Sequence, residues 1–351
     1  MACFPYLIVG SGYRSEYFVR IAMTHPDLFS CAVLCRSEEK AAHMRRLGAA
    51  AFTSEAEALA FHPQAAVIAV DRAQVASLTA HWASLGMPVI TETPVGASME
   101  ELQELWSLHQ KGARIVCCEQ YIRHPLLQSG MAAVEKGLIG EPQSAYLSLV
   151  HDYHGASVLR HLLRTGGEGY TLQGLSSTTP VLESDSRYGA LYSGEEKEQT
   201  RKILLIRYDS GKTAIYDFSP VQYRTYLYSR HLILRCSRGE WSDRLLLHAQ
   251  ADGSFGRTQL MPEIPQKYRC LDTQSLRELR KTWSAELFLD TLWDEYAIGT
   301  FLLDMKEYIE GGPEPYPLWE ALEDARFWLL SENLKDSPVT AGAMPWSPSA
   351  S

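Results

Sequence analysis

No apolar run in this chain reaches the roughly 20 residues needed to cross a bilayer. Zinc-ligand spacing is missing as well. The seven cysteines (Cys3, Cys31, Cys35, Cys117, Cys118, Cys236, Cys270) are odd in number and irregularly placed, with no CxxC pair or Cys/His cluster. Several lie inside apolar runs, where a reduced cysteine behaves as a small hydrophobe, and no metal is expected. Positive charge is also scarce: 33 Lys+Arg against 42 Asp+Glu leave a formal net charge of −9. That balance offers no electrostatic footprint for nucleic acid or an anionic membrane. The amino terminus carries no basic segment, long apolar core or cleavage site before its first strand pattern. A reducing, cytoplasmic setting is therefore expected. There is no internal repeat, and a hydrophobic fraction of 46% over 351 residues excludes disorder as the main state. At roughly 100–200 residues per domain, the length suggests two domains.

The first 120 residues alternate short apolar runs with amphipathic stretches. The runs are Tyr6–Val9, Cys31–Cys35, Ala50–Phe52, Ala66–Val70, Val89–Thr91 and Ile115–Cys118, and between them lie helical patterns at Glu16–His25, Glu38–Leu47, Ala73–Leu85 and Met99–Lys111. Ser98 and Glu101 form a capping box, and Gly48, Gly86 and Gly112 stand where helices should stop. This rhythm predicts an α/β fold with a doubly wound parallel sheet. After a helix at Pro125–Lys136 the rhythm changes. Gln143–Val150 reads as a strand, Gly155–Leu163 as a helix, and Ile203–Asp243 as strand-rich, with hairpin turns at Asp209–Lys212 and Ser237–Gly239. Tyr223, Arg224, Tyr226 and Tyr228 read as an aromatic strand, Trp283–Ile309 and Leu318–Leu334 as helices, and Trp283, Trp293, Trp319 and Trp328 as core. The expected organisation is a dinucleotide-binding domain at 1–120, a substrate-binding and oligomerisation domain with an open, mostly antiparallel sheet at 121–336, and a flexible tail at 337–351.

Val9-Gly10-Ser11-Gly12-Tyr13-Arg14-Ser15 sits at the first strand–helix junction. Gly10 makes the tight turn, and Gly12 lets a pyrophosphate approach backbone N–H groups at the helix N-terminus, with Tyr13 and Arg14 beside it. Ser15 replaces a third glycine and is small enough for close packing. After the second strand, Cys35-Arg36-Ser37 stands where a carboxylate would hold the ribose of NAD. Arg36 and Ser37 suit a 2′-phosphate, so both NAD and NADP remain open as cofactor. Asp71 and Arg72 end the fourth strand, on the path of a bound dinucleotide.

With these motifs in view, the chain resembles the Gfo/Idh/MocA family of NAD(P)-dependent oxidoreductases. The resemblance rests on Gly10–Ser15, Pro88–Pro94 (the family's Glu-Lys-Pro segment), Glu119-Gln120-Tyr121, the Ala133–Pro142 crossover and the His231–Ser242 hairpin. It implies hydride transfer between a nicotinamide and a carbohydrate, glycoside or polyol, in a homodimer or larger homo-oligomer. It also implies that Glu92, Glu119 and Gln120 lie by the cofactor. The family's lysine is Thr93 here. Aligning on Leu162-Leu163 places the family's histidine at His154, while its two flanking aspartates are replaced by Val150 and Ser157. In their place stands His151-Asp152-Tyr153-His154.

Removing a hydroxyl proton as hydride leaves needs a base that titrates near neutrality, and histidine suits. His154 or His151 would be that base, Asp152 would orient an imidazole, and Thr93 would touch or relay. Tyr153, Arg123, Arg160 and Tyr223 are the substrate-contact candidates, with Arg160 and Arg164 one turn apart on a helix. The lost lysine keeps other readings alive. One is a redox-neutral glycoside-cleaving enzyme with tightly bound NAD. Others are a non-catalytic, cofactor-binding sensor, and imine or tetrapyrrole reduction.

Overall fold

The computed structural model describes residues 3–186, 189–223, 225, 227–282, 290–334 and 337–346. The chain runs β1 (Phe4–Val9), α1 (Tyr13–Thr24), β2 (Phe29–Leu34), α2 (Glu38–Arg46), β3 (Ala50–Phe52), α3 (Glu55–Leu59), β4 (Ala65–Ile68), α4 (Arg72–Ser84), β5 (Val89–Thr91), α5 (Met99–Gln110) and β6 (Ile115–Cys117). It continues through α6 (Pro125–Glu135), β7 (Pro142–Ser148), α7 (Asp152–Leu163), β8 (Tyr170–Leu182), a two-residue ladder of β9 (Asp185–Ser186) and β10 (Gly189–Ala190), β11 (Glu196–Tyr208) and β12 (Thr213–Phe218). Then come β13 (His231–Cys236), β14 (Gly239–Ser242), β15 (Leu245–Ala249), β16 (Phe255–Gln259), α8 (Gln274–Lys281), α9 (Thr291–Ile309), α10 (Leu318–Glu332) and β17 (Val339–Ala341). By its internal contacts the chain divides into two units, Met1–Gln120 with Asp294–Arg326 and Trp346–Ser351, and Tyr121–Trp293 with Phe327–Pro345.

In the first unit the six strands pair in the order β3-β2-β1-β4-β5-β6, all in parallel. This is the doubly wound order, in which the chain reverses direction beside β1. Both faces of such a sheet are covered, so its strands are apolar throughout: Leu7, Ile8, Val67, Ile68 and Ile90 are fully buried. The helix boundaries follow local chemistry. Ser98 Oγ accepts from Glu101 N, while the Glu101 carboxylate accepts from Ala97 N at 2.6 Å, one residue before the N-cap. Gly48, Gly86 and Gly112 end helices at φ 99°, 76° and 95°, where a Cβ would be strained. Arg20 of α1 donates to Glu295 of α9 at 2.6 Å. Residues 294–326, expected in the second domain, therefore belong with the dinucleotide-type sheet.

The second unit holds a nine-stranded sheet in the order β16-β15-β14-β13-β7-β12-β11-β8-β17. Every junction is antiparallel except β12 with β7. One face is packed: Leu147, Leu204, Ile206, Tyr216, Leu232 and Leu234 are buried. The other face, read from the register, carries Leu175, Ile203, Leu205, Ile215, Tyr146 and Ile233.

Several expectations are corrected here. Residues 337–346 are not a frayed tail. Val339–Ala341 pairs with β8 and Trp346 is 1% exposed, because the backbone finds a sheet edge and the indole a core. The aromatic segment is not a strand where it is described. Pro220–Tyr223 forms a 3₁₀ turn, and Tyr228 is exposed. Arg224, Tyr226 and Trp283 lie outside the described residues. Trp293 and Trp328 are buried, whereas Trp319 is only half-buried. Five cysteines are buried, with Cys3 and Cys270 exposed; burial pushes the Cys31 thiol up to about 12. No described helix is long and apolar enough to cross a membrane.

Gly130 of α6 lies against the fully buried ring of Trp241 on β14, and a Cβ there would come within 2.1 Å of the indole. Gly130→Ala is expected to lower stability by about 1–3 kcal/mol, the usual cost of overpacking. A urea midpoint compared with wild type checks it.

Candidate active site

Two groups of side chains carry the expected chemistry, one in each unit. The first lies where β1 meets α1. Gly10 adopts φ +118°, and a Cβ on it would sit 2.2 Å from the Ala69 carbonyl oxygen. Only glycine allows β1 and β4 to approach so closely at their carboxyl ends. Gly12, the N-cap of α1, has nothing within 4 Å of its would-be Cβ, and no side chain caps the helix. The loop thus combines a turn that excludes Cβ with an open approach to helix N–H groups. A pyrophosphate needs both features. Ser15 is fully buried, and its hydroxyl donates to the Ala69 carbonyl at 3.4 Å.

Arg14 donates from Nε to Glu92 Oε2 at 2.8 Å. The other carboxylate oxygen of Glu92 is buried, with no hydrogen-bond partner among the described residues. Burial raises the Glu92 pKa against the pull of Arg14, with Glu119 and Asp294 adding repulsion. A half-satisfied buried carboxylate is costly, so Arg14 and Glu92 act as one unit at the loop. Glu119 and Gln120 are buried just beyond β6, and the Gln120 Oε1 also lacks a partner among the described residues. Tyr13 turns its hydroxyl to Tyr17 at 3.0 Å. Thr93 is half-buried beside them in sequence. Ser37 is committed to α2, where its Oγ caps Lys40 N at 3.4 Å. Arg36 is exposed after β2, and among the described residues it forms no ion pair. Asp71 and Arg72 are exposed at the start of α4.

The second group gathers where β7 gives way to α7. The helix begins at Asp152 rather than Gly155, so helical geometry replaces the strand alternation that would have split the HDYH segment between two faces. Two residues absent from the sequence reading dictate this start. The Tyr216 hydroxyl accepts from Asp152 N at 2.7 Å, and the Tyr216 ring packs where a Cβ on Gly155 would be, at 2.5 Å. Asp152 takes φ +40°, a strained value for a non-glycine residue. Its carboxylate accepts from Lys202 Nζ on β11 at 3.3 Å. The expected role of Asp152 in orienting an imidazole is thereby corrected: its ion-pair partner is a lysine. A cue existed in the glycine directly after the histidines, but nothing local named Tyr216 or Lys202.

His151, Tyr153, His154, Tyr121 and Tyr223 meet as a cluster of rings. His151 lies 4.9 Å from His154 at 90°, and His154 lies 4.6 Å from Tyr121. The His151 imidazole is held at both nitrogens, Nδ1 to Tyr223 Oη at 2.9 Å and Nε2 to Tyr153 Oη at 3.0 Å. Its backbone N–H also donates to Tyr223 Oη, at 3.1 Å. His154 is 3% exposed. Arg230, another residue not anticipated, lays its guanidinium over the Tyr223 ring at 4.5 Å and donates from Nε to the Gln222 carbonyl at 3.3 Å. It is 3% exposed, and among the described residues its Nη1 and Nη2 have no hydrogen-bond partner. Arg160 is buried, and Arg164 ends α7 in the left-handed conformation, its guanidinium 3.7 Å from the Glu141 carboxylate. Arg123 is half-buried in a 3₁₀ turn, followed by His124, which stacks on Tyr121 at 5.2 Å.

Comparisons with known proteins agree with the first group. Residues 4–120 match the GFO_IDH_MocA family, described as "Oxidoreductase family, NAD-binding Rossmann fold". No curated protein matches the chain in sequence. Similar solved structures include an oxidoreductase from Agrobacterium radiobacter in complex with NAD+, L-tartaric acid and magnesium. It shares 14% identity at a TM-score of 0.69, covering 96% of this chain and 98% of that one. Levoglucosan dehydrogenase in complex with NADH and levoglucosan shares 16% at 0.69, covering 98% and 100%. Biliverdin reductase from Synechocystis sp. PCC 6803, with biliverdin and NADP+, shares 12% at 0.62, covering 93% and 98%. At these identities the likeness is one of fold.

Arg36 is the charge that would recognise a 2′-phosphate. Arg36→Ala is expected to weaken NADP+ binding about tenfold, the scale of one lost hydrogen bond to a charged group, and to leave NAD+ binding within about twofold. Fluorescence titration of both nucleotides checks it.

Proposed function

We propose that this chain, whose residues 4–120 match the Gfo/Idh/MocA oxidoreductase family, belongs with that family and moves a hydride between the nicotinamide and a hydroxyl-bearing carbon of a carbohydrate, glycoside or polyol. The observation that carries this reading is the joining of two imidazoles and three phenols in one cluster. Phenols and imidazoles donate and accept hydrogen bonds in turn, as vicinal hydroxyls require, and an imidazole takes up a proton near neutral pH. The levoglucosan bound to the dehydrogenase of similar fold supports the same substrate class. The nicotinamide, when bound, supplies the hydride chemistry. The chain's own part is to hold the dinucleotide through Gly10 and Gly12, with Arg14 and Glu92 bracing the loop. The His151–His154 cluster handles the hydroxyl proton, and Thr93 offers a hydroxyl where the family carries lysine.

A second reading draws on the pair of imidazoles in ring contact. Two proton carriers suit a redox-neutral cleavage in which a glycoside is oxidised, loses its aglycone by elimination and is reduced again. One assay separates the readings. Levoglucosan, myo-inositol and a nitrophenyl glucoside are incubated with NAD+ or NADP+. Hydride transfer predicts rising absorbance at 340 nm, and cleavage predicts released nitrophenol without it. Nucleotide binding with neither signal would defeat both. In the active assay, His154→Ala is expected to lower kcat by about 10²–10⁴, the range for a lost acid–base group, with nucleotide affinity unchanged.

We also propose a homodimer or larger assembly through the open sheet face. Leu175, Leu205 and Ile215 are 62%, 51% and 40% exposed there, and Leu205 lies directly opposite Ile215 across the β11–β12 pair. Such contiguous apolar surface marks an interface. Leu205→Glu is expected to halve the mass measured by light scattering after gel filtration without unfolding the chain.

A further inference from the structure

Outside the histidine–tyrosine cluster, the second unit carries another line of polar side chains, Ser229, His231 and Asp243. Ser229 Oγ lies 2.7 Å from His231 Nε2, and His231 Nδ1 lies 3.0 Å from Asp243 Oδ2. A carboxylate only accepts, so Nδ1–H donates to Asp243. In the neutral imidazole Nε2 is then bare and accepts from the Ser229 hydroxyl. A nucleophile, a base and a carboxylate that orients the base thus follow one another, the arrangement that activates a serine for acyl transfer.

The two ends of the line are held by the fold. Asp243 takes φ +51° in the turn after β14. Its Oδ1 accepts from Leu232 N at 2.9 Å and its N–H donates to the Leu232 carbonyl at 2.9 Å, while the Trp241 indole donates to its carbonyl at 2.7 Å. The buried Gln222 amide donates to the Ser229 carbonyl and to Ser148 Oγ, both at 3.1 Å, which fixes the main chain at the serine. Ser229 and His231 are exposed. So are Leu227 and Tyr228 just before them, at 62% and 48%. Among the described residues the N–H groups of Ser229 and Arg230 donate to no other group, so they are available to an oxygen that turns negative beside the serine. β7 and β12 separate β13 from β11, so the line lies apart from the Leu205–Ile215 contact.

We propose that Ser229, His231 and Asp243 form a second catalytic site, which hydrolyses activated carboxylic esters. Exposed Leu227 and Tyr228 beside an open serine suit a short acyl group on an aryl leaving group. Ser229 Oγ bonds to the ester carbonyl carbon as its proton passes to His231 Nε2. The C–O bond to the leaving group breaks, and that oxygen takes the proton from Nε2. Water then bonds to the acyl carbon, giving a proton to Nε2. The bond to Ser229 Oγ breaks, the serine takes that proton back and a carboxylic acid leaves. One ester and one water become one alcohol and one acid, with nothing oxidised or reduced. Asp243 does not touch the ester; it is a positioning residue that holds Nδ1–H and so keeps Nε2 facing the serine. The site shares no side chain with the His151–His154 cluster and does not depend on hydride transfer.

The test uses the full-length protein without nucleotide. It is treated with diisopropyl fluorophosphate, from which an activated serine displaces fluoride, and adducts are mapped by peptide mass spectrometry. The internal control is exposed Ser254, whose Oγ donates to the Asp252 carboxylate at 2.6 Å rather than to an imidazole. Ser229 should be labelled about 100-fold faster than Ser254, the lower range for a general base, and His231→Gln should remove that advantage. Asp243→Asn keeps an oxygen for the Leu232 N–H but withdraws the charge facing the imidazole. It should slow labelling, and Asp243→Glu should recover part of the loss. With p-nitrophenyl acetate the wild type should release nitrophenol about 100-fold faster than Ser229→Ala. Labelling of Ser229 no faster than of Ser254, or equal nitrophenol release by wild type and Ser229→Ala, would overturn the proposal. Either result leaves hydride transfer untouched, since the 340 nm assay reads that separately.

Discussion

The arrangement of the histidine–tyrosine cluster depends on how β7 is stopped and α7 started. Only Leu149, Val150 and His151 separate Ser148 from Asp152, so the chain must turn from strand to helix within three residues. Tyr216 makes that possible by accepting the Asp152 N–H and filling the space beside Gly155. The positive φ of Asp152 is the cost of the turn, offset in part by the Lys202 ion pair. With the helix begun there, His151 caps it and points both ring nitrogens at phenols, while Tyr153 and His154 follow on the first turn. Were the helix to begin at Gly155, the HDYH segment would alternate as a strand, and His151 could not meet Tyr153 and Tyr223 at both ring nitrogens.

The other unit answers to a different constraint. There the close approach of Gly10 to the Ala69 carbonyl brings β1 and β4 together at the point where the sheet order reverses, and the open end of α1 follows from it. Arg14 and Glu92 then tie that loop to the end of β5 through one hydrogen bond. In the second unit the hydroxyls of Tyr153 and Tyr223 hold the His151 imidazole at its two ring nitrogens.

Much of this could be read from the residues alone. The parallel sheet, its strand positions within a residue or two, the glycine loop, the hairpins at Asp209–Lys212 and Ser237–Gly239 and the apolar strand faces all follow from periodicity and turn chemistry, which are local. The short helix α3 and strands such as β15 and β16 were missed, because they are brief or polar and are held by neighbours distant in sequence. The HDYH segment stood out by composition. Its geometry did not, since a strand and a helix start are equally compatible with four polar and aromatic residues.

By itself the sequence determined the doubly wound parallel sheet and the glycine loop after its first strand, because each depends on backbone freedom or pattern within a few positions. Tertiary structure alone decided that Asp152 turns to Lys202 and that His151 is gripped by Tyr153 and Tyr223. It also decided that Arg230 lies on Tyr223 and that Val339–Ala341 closes a sheet edge. Those outcomes join residues as many as 171 positions apart, as between Tyr170 and Ala341. A hydrogen bond or a ring contact at such separation is selected by the packed fold as a whole, not by any propensity of the chain around it.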